Sequence, residues 1–173
     1  MDAYQAIITR KCVRSFTPEP VTDEQLNAIL EAGVRAPSGM ANEPWRFSII
    51  RDRNVKAKIA ALSKHEAVLL QADALICLFM DASVGYHTIK DANTIGACTE
   101  NMLLAAHALG LGAVWIAEIL KNKEQVTALC GVDADFGGDR RGFSAFAGET
   151  GRCRCRNGAG AACCGAGRGT RRR

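Results

Sequence analysis

From Ala74 to Met80 the chain runs through an unbroken apolar stretch, A-L-I-C-L-F-M. The run does not alternate, so it reads as a β-strand buried on both faces rather than one with a wet side. It is also the C-terminal half of the best membrane candidate in the chain, Ala67 to Met80, which Gln71 and Asp73 interrupt. No stretch reaches the ~20 apolar residues that a spanning helix needs. A strand of this kind requires other elements above and below it, and the flanking sequence supplies them.

Ala3 to Thr9 reads as a short amphipathic helix with Tyr4, Ile7 and Ile8 turned inward, followed by a basic, β-branched segment, Lys11 to Phe16. Thr22 and Gln25 form a capping box, and Leu26, Ile29, Leu30 and Gly33 recur at helical spacing. That helix ends before Pro37. Trp45 to Arg51 reads as a strand, and Asn54 to Lys64 as a helix carrying Val55, Ile59 and Leu62. Asp91 to Leu109 is the longest helix, with Ile95, Cys98, Thr99, Met102, Leu103 and Ala106 on its buried face and Gly110 as its stop. Ala113 to Ile116 is expected to be a strand and Lys123 to Leu129 a last short helix. Three strands and about five helices indicate an α/β or α+β domain.

Several function classes fall away. No G-x-G-x-x-G follows a strand, and no G-x-x-x-x-G-K-[ST] occurs, which excludes the usual dinucleotide and P-loop sites. The N-terminus opens on Asp2 rather than on a basic region and an apolar run, so no export signal is read and a cytoplasmic protein is expected. The formal net charge of +4 is uneven: residues 151 to 173 hold seven Arg and no acid, which leaves residues 1 to 150 at −3. The body is mildly acidic, and nucleic acid is not the expected partner. His107 reads as a packed or rim residue, and His65 and His87 fall in loops. No Ser-His-Asp or Cys-His arrangement is persuasive, and the C-x-C and C-C pairs at Cys153, Cys155, Cys163 and Cys164 are not zinc spacings, so no metal is expected.

Two clusters carry chemistry. Arg10-Lys11-Cys12-Val13-Arg14 places three cations in five residues between apolar segments. Read alone it is a solvated surface or an anion site; a phosphomonoester would relieve the mutual repulsion and match the Arg forks. Residues 36 to 45, A-P-S-G-M-A-N-E-P-W, form a loop between a helix end and a strand, stiffened by Pro37 and Pro44. Its backbone groups are free of regular structure and could face a planar heterocycle.

Together, R-K-C-V-R-S-F (residues 10–16), A-P-S-G-M-A-N-E-P-W-R-F (residues 36–47), and G-A-C-T-E-N-M-L-L-A-A-H-A-L-G-L-G-A-V-W-I (residues 96–116) resemble the nitroreductase family of FMN enzymes, in the family's order and spacing. The resemblance covers roughly residues 3 to 132. It implies an α+β, three-layer fold with a central, mainly antiparallel sheet flanked by helices, in a homodimer with FMN at each interface. It implies that Arg10, Lys11 and Arg14 hold the FMN phosphate and ribityl chain, with Cys12 where the family usually has Ser. Pro37, Ser38, Gly39 and Met40 would lie against the isoalloxazine ring of the partner subunit. Trp115, Ile116, Ala117 and Glu118 fall where the family places backbone donors near flavin N5 and the pyrimidine edge. Ala41 stands where the family usually has Asn, with Asn42 one position late as its candidate replacement, and Glu43 replaces Gln. The flavin, passing hydride at N5, is then the redox group, and no side chain is catalytic. NADH or NADPH would be the donor and a nitroaromatic, quinone or similar electron-poor small molecule the acceptor. The alternatives are a related flavin chemistry, reductive dehalogenation or flavin fragmentation, and a non-enzymatic protein whose basic tail binds nucleic acid.

The resemblance implies a boundary near residue 136. Residues 1 to 136 would be the FMN-binding domain, and 137 to 173 an atypical, poorly ordered Gly/Arg/Cys/Ala-rich tail. Arg, Gly, Ala and Cys are what GC-rich codons give in a shifted frame, so the tail is read as frameshifted from somewhere in residues 133 to 140.

Overall fold

The centre of the sheet is an antiparallel pair, β1 (Trp45–Ile50) and β2 (Leu75–Met80), in register from Trp45 opposite Met80 to Ile50 opposite Leu75. In this computed structural model, residues 1–131 are described together with the backbone of two further strands, β3 (Phe143–Ala147) and β4 (Ala162–Cys164). β3 lies antiparallel beside β2 and β4 antiparallel beside β1, giving the order β3-β2-β1-β4. The remaining expectations for residues 132 to 142, 148 to 161 and 165 to 173, including disorder of the tail, lie outside the described residues.

Among the described residues six α-helices accompany the sheet: α1 (Ala3–Thr9), α2 (Asp23–Val34), α3 (Arg53–Ala60), α4 (Glu66–Gln71), α5 (Thr88–Ala108) and α6 (Lys123–Leu129). Side chains alternate across a strand, and the two central strands divide accordingly. Phe47 and Ile49 of β1, with Ile76, Leu78 and Met80 of β2, join Leu26 and Ile29 of α2 and Ile95, Cys98, Met102, Leu103 and Ala106 of α5. Ile50, Leu75 and Cys77 join a second cluster with Ile59 and Ala60 of α3, Leu69 of α4 and Val126 of α6. β2 is therefore apolar on both faces because both are covered, as its sequence requires. Each large side chain buried in this way stabilises by about 1.5–3 kcal/mol. The expected buried face of the longest helix holds at every position: Ile95, Cys98, Thr99, Met102, Leu103 and Ala106 are all buried.

α2 and α5 meet closely at Gly33, where an added Cβ would lie 2.8 Å from Cγ and 3.0 Å from Sδ of Met102. The capping box at Thr22 forms in full, with Gln25 answering the Thr22 amide at 2.8 Å.

Four points differ from expectation. α1 buries only Ala6; Tyr4, Ile7 and Ile8 point to solvent at 69%, 60% and 55% exposure. Attachment of the helix end to α5 through Thr9 and Arg10 accompanies the burial of Ala6 and leaves the larger apolar stripe outside. Ala113 to Ile116 is extended but joins no ladder; among the described residues its backbone tie is Val13 N–H to the Ala113 carbonyl, 3.0 Å. Val114 and Ile116 are buried and Trp115 is exposed, so the alternation resembles a strand without strand pairing. α4 was hidden inside the apolar stretch that continues into β2, and α3 stops at Ala60 rather than Lys64. Among the described residues no helix is long and apolar enough to cross a membrane.

Candidate functional site

The basic segment is strung between two supports. At its start, the Thr9 hydroxyl lies 2.8 Å from His107 Nε2, and Arg10 Nε lies 3.2 Å from Glu100 Oε1, both partners on α5. At its end, Val13 bonds Ala113, and Gly112 approaches so closely that a Cβ there would lie 2.9 Å from Val13 Cγ1. Lys11, Cys12 and Arg14 remain exposed, and Arg10 is half-buried. The Arg10 guanidinium reaches the Cys12 thiol at 3.8 Å. Lys11, Phe16, His107 and Gly112 line a cavity of about 640 Å³ between this segment and the end of α5.

The pairing of Val13 with Ala113 brings the basic segment beside the start of the extended segment 113–116, which runs on into the 3₁₀ turn Ala117–Asn122. Trp115 and Ala117 face outward, whereas Ile116 is buried. Among the described residues the amides of Trp115 and Ile116 donate to no partner. Glu118 is engaged within the chain. Its Oε2 accepts from the Ser63 hydroxyl at 2.9 Å and the Lys64 amide at 3.3 Å, and Oε1 pairs with the Lys121 ammonium. Lys121 above all holds the Glu118 carboxyl below its ordinary value, with Ser63 and Lys64 adding to it against a smaller effect of burial.

The loop from Pro37 to Trp45 is anchored elsewhere. Met40, Ala41 and Glu43 have φ of 55°, 53° and 46°, a left-handed conformation that costs non-glycine residues and persists only when the surroundings enforce it. The enforcing contacts come from the connection between β2 and α5. Asn42 Nδ2 donates to the Val84 carbonyl at 3.2 Å and to Asp91 Oδ1 at 2.8 Å. The Glu43 amide donates to the Ser38 hydroxyl, and the Asp81 amide to the Pro44 carbonyl. Tyr86 packs so tightly on Gly39 that a Cβ there would sit 2.0 Å from its hydroxyl. Asp91 Oδ2 also accepts the amides of Tyr86 and His87, at 3.0 and 2.9 Å. Burial would raise this carboxyl, but the His87 amide, the Asn42 side chain, the Tyr86 amide and the charge of His87 together hold it below its ordinary value. Beyond Trp45, Arg46 pairs with the buried Asp81 at 2.7 Å. Met40 is 84% exposed, Pro37 is exposed, and Ser38 and Gly39 are half-buried.

Among the described residues, no hydrogen bond or ion pair joins the loop at 37–45 to the basic segment. The two clusters are separately built and separately presented. Among residues 1–131, Cys12 is the one exposed cysteine, and it lies within the basic segment. Cys77, Cys98 and Cys130 are buried, and burial pushes the Cys98 thiol up to about 12. Among the described residues no group of three or more His, Cys, Asp or Glu could hold a metal ion.

The nitroreductase family model matches residues 7–81 and 62–139, which includes both clusters and the segment at 113–118. The chain belongs to the nitroreductase family. A protein of Methanothermobacter thermautotrophicus, provisionally named NADH dehydrogenase/NAD(P)H nitroreductase, is 34% identical over 66% of this chain and 60% of its own length. An FMN reductase [NAD(P)H] of Bacillus subtilis is 25% identical over 74% of this chain and 59% of its own. The chain thus spans about three fifths of each of these relatives. A Desulfovibrio desulfuricans structure, provisionally named a nitroreductase and solved with FMN, superposes at a TM-score of 0.76 and 36% identity, covering 89% of this chain and 93% of that one.

Within this nitroreductase fold, sequence reasoning missed the residues that hold the clusters in place: Glu100, Asp91, Val84 and Tyr86. The Arg10-to-Glu100 pair is long-range and carries no local signal. Asp91 could have been found as an acid in the first turn of a helix, where it meets unpaired amides.

Proposed function

We propose that the protein is an FMN-dependent oxidoreductase that passes reducing equivalents from NAD(P)H to nitroaromatic, quinone or similarly electron-poor acceptors, working as a homodimer. The observation that carries this reading is the Val13–Ala113 pairing, which ties the segment of exposed cations to the stretch 113–116, where among the described residues the Trp115 and Ile116 amides donate to no partner. These are the two features an FMN needs: positive charge for its phosphate and donors for its polar ring edge.

In this reading Arg10, Lys11, the residue 12 backbone and Arg14 hold the phosphate and ribityl chain. Trp115, Ile116, Ala117 and Glu118 face the ring through their backbones, the Glu118 side chain being held by Ser63 and Lys121. Pro37, Ser38, Gly39 and Met40 serve the partner subunit's cofactor, and Asn42 supports that loop through Asp91. Bound FMN supplies the two-electron relay between nicotinamide and acceptor. The chain's own residues bind it, orient it and shield one side of it. The separation of the two clusters within one chain supports a site completed by a second copy. So does the exposed apolar stripe of Tyr4, Ile7 and Ile8. Helices on both faces of the sheet make the three-layer fold, the functional domain is residues 1 to 136 with 137 to 173 as an atypical tail, and the compartment is the cytoplasm.

The test is anaerobic. FMN-loaded protein is mixed with NADH or NADPH and the flavin's visible band is followed, then a quinone or nitroaromatic is added. Bleaching by either nicotinamide and recovery with the acceptor is the expected result; a band that neither nicotinamide bleaches would sink the proposal.

A further inference from the structure

We propose that Glu100 is a positioning residue for the cofactor phosphate, gripping Arg10 through Nε so that the guanidinium's terminal nitrogens face the anion. The inference rests on the reading of residues 10 to 14 as the FMN phosphate segment.

The grip is specific in which nitrogen it takes. Nε lies 3.2 Å from Glu100 Oε1, while Nη1 lies 3.8 Å from the Cys12 thiol. A guanidinium carries five N–H donors on a rigid plane. Held at Nε, it keeps Nη1 on the side of residue 12, which is exposed. The pair itself is half-open, with Arg10 at 25% and Glu100 at 49% exposure. Ion pairs this exposed add little to stability, so the value of the contact is geometric.

The surrounding contacts support the assignment. Thr9 and Arg10 are neighbours, and their partners, His107 and Glu100, stand seven residues apart on α5. That spacing is close to two helical turns, which puts both on one side of the helix. Val13 is tied to Ala113 on the far side. The backbone of the segment is therefore fixed at both ends, and Glu100 holds the Arg10 side chain against α5. A long side chain frozen only when ligand arrives weakens binding; Glu100 orders Arg10 beforehand. Its negative charge works in the opposite direction, by repelling phosphate.

Two uncharged variants separate orientation from charge. Glu100→Gln keeps an acceptor oxygen for Nε, and Glu100→Ala removes it. Dissociation constants for FMN and riboflavin are measured on wild type and both variants by quenching of flavin fluorescence. FMN should bind the Ala variant roughly three- to tenfold more weakly than the Gln variant. Riboflavin, which lacks the phosphate, should bind both equally. Equal FMN affinity in the two variants, with wild type still preferring FMN, overturns the role of Glu100 alone. A parallel loss of riboflavin also overturns it, because Glu100 then acts through the fold. A wild-type chain with no preference for FMN over riboflavin overturns the phosphate reading itself, and this inference with it.

Discussion

Arg14 is exposed at the end of the basic segment, and the reading of that segment gives it one charge-assisted contact to phosphate. Arg14→Ala should weaken FMN binding by roughly one to two orders of magnitude, from ~1.5–3 kcal/mol. Riboflavin binding should stay unchanged, and calorimetric titration of both ligands checks the pair of outcomes. Asp91 carries a different prediction. Its carboxylate accepts from Asn42, Tyr86 and His87, and an amide in its place would set a donor against donors. Asp91→Asn should cost ~1–3 kcal/mol in urea unfolding. The folded carboxyl is held below its ordinary value, so its stabilisation is complete above about pH 4 and is lost as pH falls through the lower folded value. Acid unfolding of wild type should contain that component, and the Asn variant should lack it. At this scale the sequence displays the charges themselves, Arg10, Lys11 and Arg14, to which the proposed function gives the phosphate. It was silent where a side chain's partner lies far along the chain. Nothing local to Asn42 announces Asp91, and nothing local to Glu118 announces Ser63.

The elements that carry the site were legible when their pattern was set by burial. The helical repeat of α2, the capping box at Thr22 and the apolar face of α5 follow from what must be covered. The same rule failed for α1, whose stripe of Tyr4, Ile7 and Ile8 is apolar yet exposed, because periodicity finds an apolar face without saying what covers it. It failed again at Ala113 to Ile116, where alternation is present but the ladder is not. The close approach of α2 to α5 was invisible for another reason, since a glycine at helical spacing does not reveal its neighbour. That approach is testable. Gly33→Ala drives a methyl into the buried Met102, 2.8 Å from its Cγ, and overpacking of this kind costs ~1–3 kcal/mol. A thermal melt should show the loss. An unchanged or raised Tm would mean that α2 and α5 have room to part.

For the whole molecule, no stretch of the sequence reached the length of a spanning helix, the charge outside residues 151–173 was mildly acidic, and the order of three motifs indicated the family. Assembly was the least legible property, because one chain's sequence does not state where the second copy that the proposed site requires would lie. The tail's Arg and Gly content likewise gave no hint that Ala162–Cys164 pairs with β1, although the F-S-A-F-A of β3 has some strand character. The central claim is that FMN sits where the basic segment of one copy meets the loop at 37–45 of another. Cofactor and dimer should then be linked. FMN that binds the dimer alone strengthens it by about 2.7 kcal/mol per site at a hundredfold excess over its dissociation constant. Sedimentation equilibrium followed in the flavin's visible band tests this directly. The account predicts that flavin sediments with a dimer, and that the dimer dissociates at lower protein concentration when FMN is present than when it is absent. Flavin carried by a monomer, with the dimer constant indifferent to FMN, would contradict it.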